Sequence, residues 1–123
     1  MLVSEQEILE LKDFIFELNS MSDSVVEGKR DSNALRRLGY QGETLELYRF
    51  GRIINFADLA ANYHRLIILF DRDRKGRMLT GKIMQLLQRR TKVDLSFKRK
   101  LQVITKGKIM FIEQLISYES SLT

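Results

Sequence analysis

Cysteine, proline and tryptophan are absent from this 123-residue chain, and histidine occurs once. Without cysteine the protein has no disulfide, no thiolate nucleophile and no cysteine-based zinc site. A single histidine likewise excludes a metal site built from several imidazoles. Any metal ion that binds this chain must therefore be held mainly by oxygen ligands.

Long apolar runs are also missing. No segment approaches the ~20 residues needed to span a bilayer, and the N-terminus, with Glu5, Glu7 and Glu10, lacks the basic start of a signal peptide. We therefore expect a cytoplasmic protein with no membrane partner. No Pro-rich or Ser-rich linker, repeat or low-complexity segment divides the chain, so one domain is expected.

The composition is that of a globular domain with an excess of positive charge. Hydrophobic residues make up 44% of the chain and charged residues 30%, which indicates a globular protein rather than a disordered one. The formal net charge is +5 and the isoelectric point is about 9.6. This excess of positive charge favours binding to polyanions, and nucleic acid is the polyanion that we expect first.

The most informative stretch is an apolar run over residues 66–70 that ends in Asp71 and Asp73. Every residue of the run is apolar, so a strand formed by it would have no solvent-exposed polar face. The run is therefore predicted to be a central strand of a sheet that is covered on both sides. The aspartates then lie at the carboxyl edge of the sheet, where open α/β sheets bind ligands. Because residues two apart in a strand share a face, both carboxylates can approach one divalent cation, Mg²⁺ or Mn²⁺.

The remaining periodicity predicts helices alternating with strands. Helices are predicted over 4–19, 31–38, 55–63 and 74–90, strands over 23–27, 44–50, 65–70 and 92–98, and two helical pieces on either side of Gly107. Residues 1–20 are expected to form an N-terminal helix that packs on a domain formed by residues 21–123. The alternation predicts an α/β fold with about four mainly parallel strands flanked by helices.

Two motifs resemble those of the Toprim domain. The first is Val25-Val26-Glu27-Gly28-Lys29-Arg30-Asp31, followed by the helix residues Ala34-Leu35 and Leu38-Gly39, and the second runs from Leu66 to Gly76. The resemblance extends from Ser24 to Phe97 and is greatest to the small stand-alone Toprim proteins of archaea and bacteria. It implies a compact, Rossmann-like Toprim fold.

The resemblance also implies a chemistry, because Toprim proteins make or break phosphodiester bonds. Glu27 corresponds to the family's general acid or base, and Asp71 and Asp73 to its Mg²⁺ ligands, with Glu27 beside the same metal. Gly28, Asp31 and Gly76 are expected to support the site. A metal bound to a phosphate neutralises the charge that develops in the transition state.

Basic residues surround this predicted site. Those expected to hold a phosphate backbone are Lys29, Arg30, Arg72, Arg74, Lys75 and Arg77. The pair Arg36-Arg37 is interpreted as solvated surface. Binding to nucleic acid should therefore weaken with salt, by ~0.7 to 0.9 in log K per phosphate contact for each unit of log salt.

Two functions from different classes remain open. The first is a metal-dependent nuclease acting on RNA or DNA, and the second is a non-catalytic nucleic-acid or ribonucleoprotein module that keeps the metal site. Priming is not expected because the chain lacks cysteines for a zinc module, and the tyrosines are interpreted as core-edge residues rather than topoisomerase nucleophiles. So small a domain would need help from a homo-oligomer or a partner protein to grip its substrate.

Other interpretations of the acidic loop are weaker. Lys75 and Lys82 stand where a calcium-binding EF-hand needs oxygen ligands, and Ile83 replaces the Ser or Thr of a Walker A motif. A haloacid-dehalogenase-type phosphatase is a distant third. Taken by itself, Asp73 could be no more than the N-cap of the helix that begins near Arg74. His64 is expected on the surface.

Overall fold

The computed structural model describes residues 4–21, 24–27, 29–71, 73–109 and 112–122. In chain order the elements are α1 (Glu5–Ser20), β1 (Ser24–Glu27), α2 (Lys29–Arg37), β2 (Thr44–Glu46), a first 3₁₀ helix (Leu47–Phe50), α3 (Ile53–Ala60), β3 (Arg65–Ile68), α4 (Arg74–Leu87), β4 (Lys92–Asp94), α5 (Ser96–Ile104), a second 3₁₀ helix (Ile112–Tyr118) and α6 (Glu119–Leu122). No helix in these ranges is long and apolar enough to cross a membrane.

The strands form one parallel sheet in the order β2-β1-β3-β4. Helices follow the strands and cover the sheet, so the prediction of an α/β class is confirmed. The two strands that carry the sequence motifs, β1 and β3, are neighbours at the centre, with Val26 paired to Ile68. Parallel neighbours with helical crossovers leave the sheet at the same edge, which brings both motifs to one side of the domain.

The apolar run 66–70 is buried along its whole length, as predicted. Ile67 and Leu69 belong to a core formed with α1, α2, α5 and the second 3₁₀ helix. Leu66, Ile68 and Phe70 belong to a second core formed with α3 and α4. Because successive side chains of a strand point to opposite faces, a run without polar residues fills both cores at once.

The predicted strand over 44–50 is wrong in its second half. Strand β2 ends at Glu46, and residues 47–50 form a 3₁₀ helix in which the alternating apolar pattern continues without a partner strand. The predicted start of the next helix at residue 55 is also wrong, because α3 begins at Ile53. The Asn55 amide instead donates to the Phe50 carbonyl at 3.2 Å.

The predicted strand over 92–98 is likewise too long. Strand β4 ends at Asp94, whose Oδ1 accepts hydrogen bonds from the Ser96 N–H at 2.8 Å and the Ser96 hydroxyl at 2.6 Å. These bonds satisfy donors at the start of α5, so the chain turns into a helix at Ser96. Phe97, which lies within the predicted strand, reaches the core from a helix.

Candidate functional site

The candidate site lies where β1 and β3 end. Continuing the register from Val26–Ile68 places the backbone of Glu27 beside Leu69, two residues before Asp71. Neighbouring strands are about 4.8 Å apart. The fold therefore brings the backbones of both motifs to one edge of the sheet, although more than forty positions separate them in sequence.

Asp73 is the N-cap of α4. Its Oδ1 accepts a hydrogen bond from the Gly76 N–H at 2.8 Å, and its backbone is extended, as an N-cap requires. The capping interpretation of Asp73 is thus correct. It does not compete with metal binding, because a carboxylate has about four acceptor positions and the cap occupies one.

The loop from Asp71 to Gly76 is closely packed. A Cβ atom at Gly76 would overlap the Asp71 carbonyl oxygen and lie 3.1 Å from Asp73 Oδ1. Gly76, which was expected to support the site, lies in the first turn of α4 and has no left-handed backbone. Glycine is required because the Asp71 backbone passes directly over this position, which holds the two aspartates in a compact arrangement.

Several predicted site residues fall outside what the structure describes. Gly28 and Arg72 are outside the described ranges, and for Glu27, Lys29, Arg30 and Asp31 only the backbone is described. Within the described part of the chain, no group of three His, Asp or Glu side chains forms a metal-binding cluster. The convergence of Glu27 with Asp71 and Asp73 around one cation therefore stays a prediction.

The described basic residues of the second motif stand at the N-terminus of α4. Arg74, Lys75 and Arg77 are exposed, and the first turn of this helix contains no acidic residue. The N-terminus of a helix carries a partial positive charge, so cations there are unfavourable by about 0.3–1 kcal/mol each. The first turn of α4 thus places three cations next to the carboxylates of Asp71 and Asp73, and together with the helix N-terminus these cations can bind an anion. His64, predicted on the surface, is exposed.

Sequence analysis missed a polar cavity beside this edge. It has a volume of about 310 Å³ and is lined by Arg36, Thr44, Glu46 and Arg49. Arg36 was interpreted as plain surface, and the other three were placed on a single long strand. The spacing of Thr44 and Glu46 puts both on one face of β2, but only the folded chain brings α2 and the 3₁₀ helix against that face.

Two carboxylates with shifted pKa values lie outside the acidic loop. The hydrogen bond from Lys108 lowers the pKa of Glu7 against the opposing effect of burial, and the Tyr118 hydroxyl adds to the lowering. Burial and the Glu7 carboxylate raise the pKa of Tyr118. Burial opposes the shift at Asp94, but hydrogen bonds from Ser96 outweigh it and lower the pKa. All three residues have partners within the chain, which explains the shifts without a ligand.

No family model matches the chain. A UPF0292 protein of Pyrococcus furiosus is 40% identical over 98 residues, covering 80% of this chain and 74% of that protein. A UPF0292 protein of Methanosarcina acetivorans is 33% identical over 118 residues, covering 91% and 81%. A solved structure from Aquifex aeolicus, 27% identical, matches with a TM-score of 0.64 over 85% of this chain and 96% of that one. The identities and coverage show that the chain belongs to the UPF0292 family.

Proposed function

We propose that this protein has a Toprim fold and is a cytoplasmic, metal-dependent enzyme that cleaves phosphodiester bonds in RNA or DNA. In this proposal Glu27 transfers a proton at the reacting oxygen, and Asp71 and Asp73, with Glu27, hold Mg²⁺ or Mn²⁺. The basic residues of both motifs bind the phosphate backbone. The observation that carries the proposal is the placement of the two acidic motifs on adjacent parallel strands that end at the same edge of the sheet.

The charge at the start of α4 supports the same chemistry. Arg74, Lys75 and Arg77 sit where the helix dipole favours acidic residues, and their repulsion is relieved when an anion binds. Asp73 fixes the start of this helix through its bond to Gly76. The cap therefore positions the phosphate-binding cations relative to the carboxylates, so that the acidic loop and the basic turn form one unit.

The carboxylates suit the proposed metal. Hard oxygen donors on one short loop are the ligands that Mg²⁺ and Mn²⁺ prefer. The metal would supply neutralisation of charge on the phosphate oxygens when bound. A positioned carboxylate such as Glu27 contributes typically ~10²- to 10⁴-fold by moving a proton. Arg74, Lys75 and Arg77 would hold the backbone on one side of the reacting phosphate.

A second candidate is a non-catalytic nucleic-acid or ribonucleoprotein module. It is favoured by the role of Asp73 as a helix cap, which accounts for this residue without any metal. In that case the same surface binds a nucleic acid and no bond is cleaved. The basic residues in the first turn of α4 serve both candidates, so binding alone does not distinguish them.

The deciding experiment is cleavage of labelled single- and double-stranded RNA and DNA with Mg²⁺, Mn²⁺ or a chelator. We expect metal-dependent cleavage that falls by ~10²-fold or more in Glu27→Gln and is also lost in Asp71→Asn and Asp73→Asn. Asparagine is a good N-cap, so Asp73→Asn keeps the start of α4 while removing the charge.

Asp58→Asn is the matched control, because Asp58 is an exposed aspartate on α3, away from the acidic loop. Its Oδ1 lies 3.5 Å from Nη2 of Arg90. It should cleave like the parent protein. Binding without turnover in the parent protein would support the module instead. Cleavage that persists in chelator, or equally in all the carboxylate variants, would refute the proposed site.

A further inference from the structure

The cavity of about 310 Å³ beside β2 contains a pair of arginines. Arg36, in the last turn of α2, donates from Nη2 to the Thr44 hydroxyl at 3.2 Å. Arg49, in the first 3₁₀ helix, donates from Nε to Glu46 Oε2 at 2.6 Å. We call the four lining residues the arginine cradle. Helix, strand and 3₁₀ helix each contribute to it, so the fold assembles it from three separate segments.

The charges of the cradle favour an anion. It contains two guanidinium groups and one carboxylate, so its formal charge is positive. Arg49 is paired with the Glu46 carboxylate, whereas Arg36 donates a hydrogen bond to a neutral hydroxyl, that of Thr44. Guanidinium groups present planar forks of donors that match phosphate oxygens. The Thr44 hydroxyl is a further donor at the same place.

The cradle flanks the candidate site. Glu46 is paired in register with Glu27, so the cradle begins level with the end of β1. It lies on the opposite side of β1 from the acidic loop that follows β3. Two strand spacings, about 10 Å, separate β3 from β2. A single bound nucleic-acid strand can span this distance.

We infer that the arginine cradle binds a backbone phosphate of the nucleic acid, on the opposite side of β1 from the phosphate held at the acidic loop. Its ligand is a phosphodiester of single-stranded RNA or DNA. The strand then crosses the carboxyl edge between two basic areas, the start of α4 and the cradle. This inference rests on the proposed function. It adds to that function a path for the bound strand along the sheet edge and a second phosphate-binding point.

The test measures binding of a labelled single-stranded oligonucleotide by fluorescence anisotropy in chelator, so that cleavage does not interfere. Arg36→Gln should weaken binding roughly tenfold and reduce the slope of log K against log salt by about 0.7. Arg37→Gln is the matched control, because Arg37 is the next residue of α2 and its guanidinium faces Glu119 at 3.7 Å instead. It should leave both affinity and slope nearly unchanged.

A second variant has the opposite expected sign. Glu46→Gln removes the carboxylate that competes with a phosphate for Arg49, so it should strengthen oligonucleotide binding. General destabilisation of the domain would not raise affinity. The midpoints of thermal unfolding of the Arg36→Gln and Arg37→Gln variants are compared to confirm that both are folded.

The outcomes separate the cradle from the nuclease. The inference that the cradle binds phosphate is overturned if Arg36→Gln and Arg37→Gln have equal effects on binding, or if Glu46→Gln weakens binding. Either result counts even if the parent protein cleaves nucleic acid. Binding that depends on Arg36 in a protein without cleavage supports the cradle and refutes the nuclease. Inorganic phosphate is titrated as a further probe, and its binding through Arg36 without oligonucleotide binding would overturn the assignment to nucleic acid.

Discussion

The carboxylate of Glu7 and those of the acidic loop, Asp71 and Asp73, have opposite surroundings. Glu7 is only 3% exposed and is bound by Lys108 and Tyr118, which lie 101 and 111 positions away in sequence. Asp73 is partly exposed, and it accepts a hydrogen bond from the N–H of Gly76, only three positions away. Burial and a shifted pKa therefore mark a structural connection at Glu7. The features that favour chemistry, an edge position and adjacent cations, are found at the acidic loop.

The buried connection holds distant parts of the chain together. The Lys108 ammonium lies 2.8 Å from Glu7 Oε1, and the Tyr118 hydroxyl lies 2.9 Å from Oε2. The second 3₁₀ helix is thereby fastened to the first turn of α1. The interpretation of Tyr118 as a core-edge residue was wrong, because its side chain is fully buried. Glu7, interpreted from the sequence only as an acidic residue near the N-terminus, is one of the buried charged residues.

The largest effect is expected from Glu7→Ala. It leaves the Tyr118 hydroxyl and the Lys108 ammonium without their acceptor, so the free energy of unfolding should fall by about 3 kcal/mol. Denaturant titration measures this loss. Glu5→Ala is the control, because Glu5 is exposed in the same first turn. It should cost less than about 1 kcal/mol.

The pH dependence of stability sharpens this prediction. The pKa of Glu7 is lowered on folding, so its contribution is present above the unfolded pKa, about 4.3, and is lost as the pH falls through the folded value. Glu7→Gln should lack this part of the acid dependence, whereas Glu5→Gln should keep it. Identical acid profiles for Glu7→Gln and the parent protein would show that the connection is not formed as an ion pair.

The next effect is expected at the acidic loop, from Gly76→Ala. The new methyl group overlaps the Asp71 carbonyl, so the loop must shift, and overpacking of this kind costs about 1–3 kcal/mol. Gly81→Ala in the same helix meets nothing within 4 Å and should stabilise the protein by about 0.5–1 kcal/mol. Unfolding midpoints of the two variants should thus move in opposite directions. Equal shifts would contradict the close approach at Gly76.

The smallest effect is expected from the cap itself. Asp73→Ala removes the acceptor for the Gly76 N–H and should cost about 1 kcal/mol, whereas Asp73→Asn should be nearly neutral because asparagine also caps helices. Thermal unfolding measures both. Similar losses in the two variants would indicate that the charge of Asp73, rather than its hydrogen bond, supports the start of α4.

Much of the framework could be predicted from local pattern. The Ser4 hydroxyl accepts from the Glu7 N–H at 3.1 Å and starts α1, and Gly39, with φ of +107°, follows α2 as expected of a helix-ending glycine. Prediction failed where an alternating pattern continued past the partner strand, at 47–50 and 95–98. An alternating apolar pattern is compatible with a strand, but hydrogen bonding to a neighbouring strand decides whether the segment forms one.

The order of the motifs, the burial of residues 66–70 and the basic charge follow from residue chemistry alone, because an apolar run avoids water in any fold and charges add up in any arrangement. The tertiary structure decided which strands are neighbours, which acceptor Lys108 and Tyr118 share, and that Arg36 and Arg49 line one cavity. These are contacts between segments far apart in the chain. They depend on how helices pack on the sheet, and no local pattern encodes that packing.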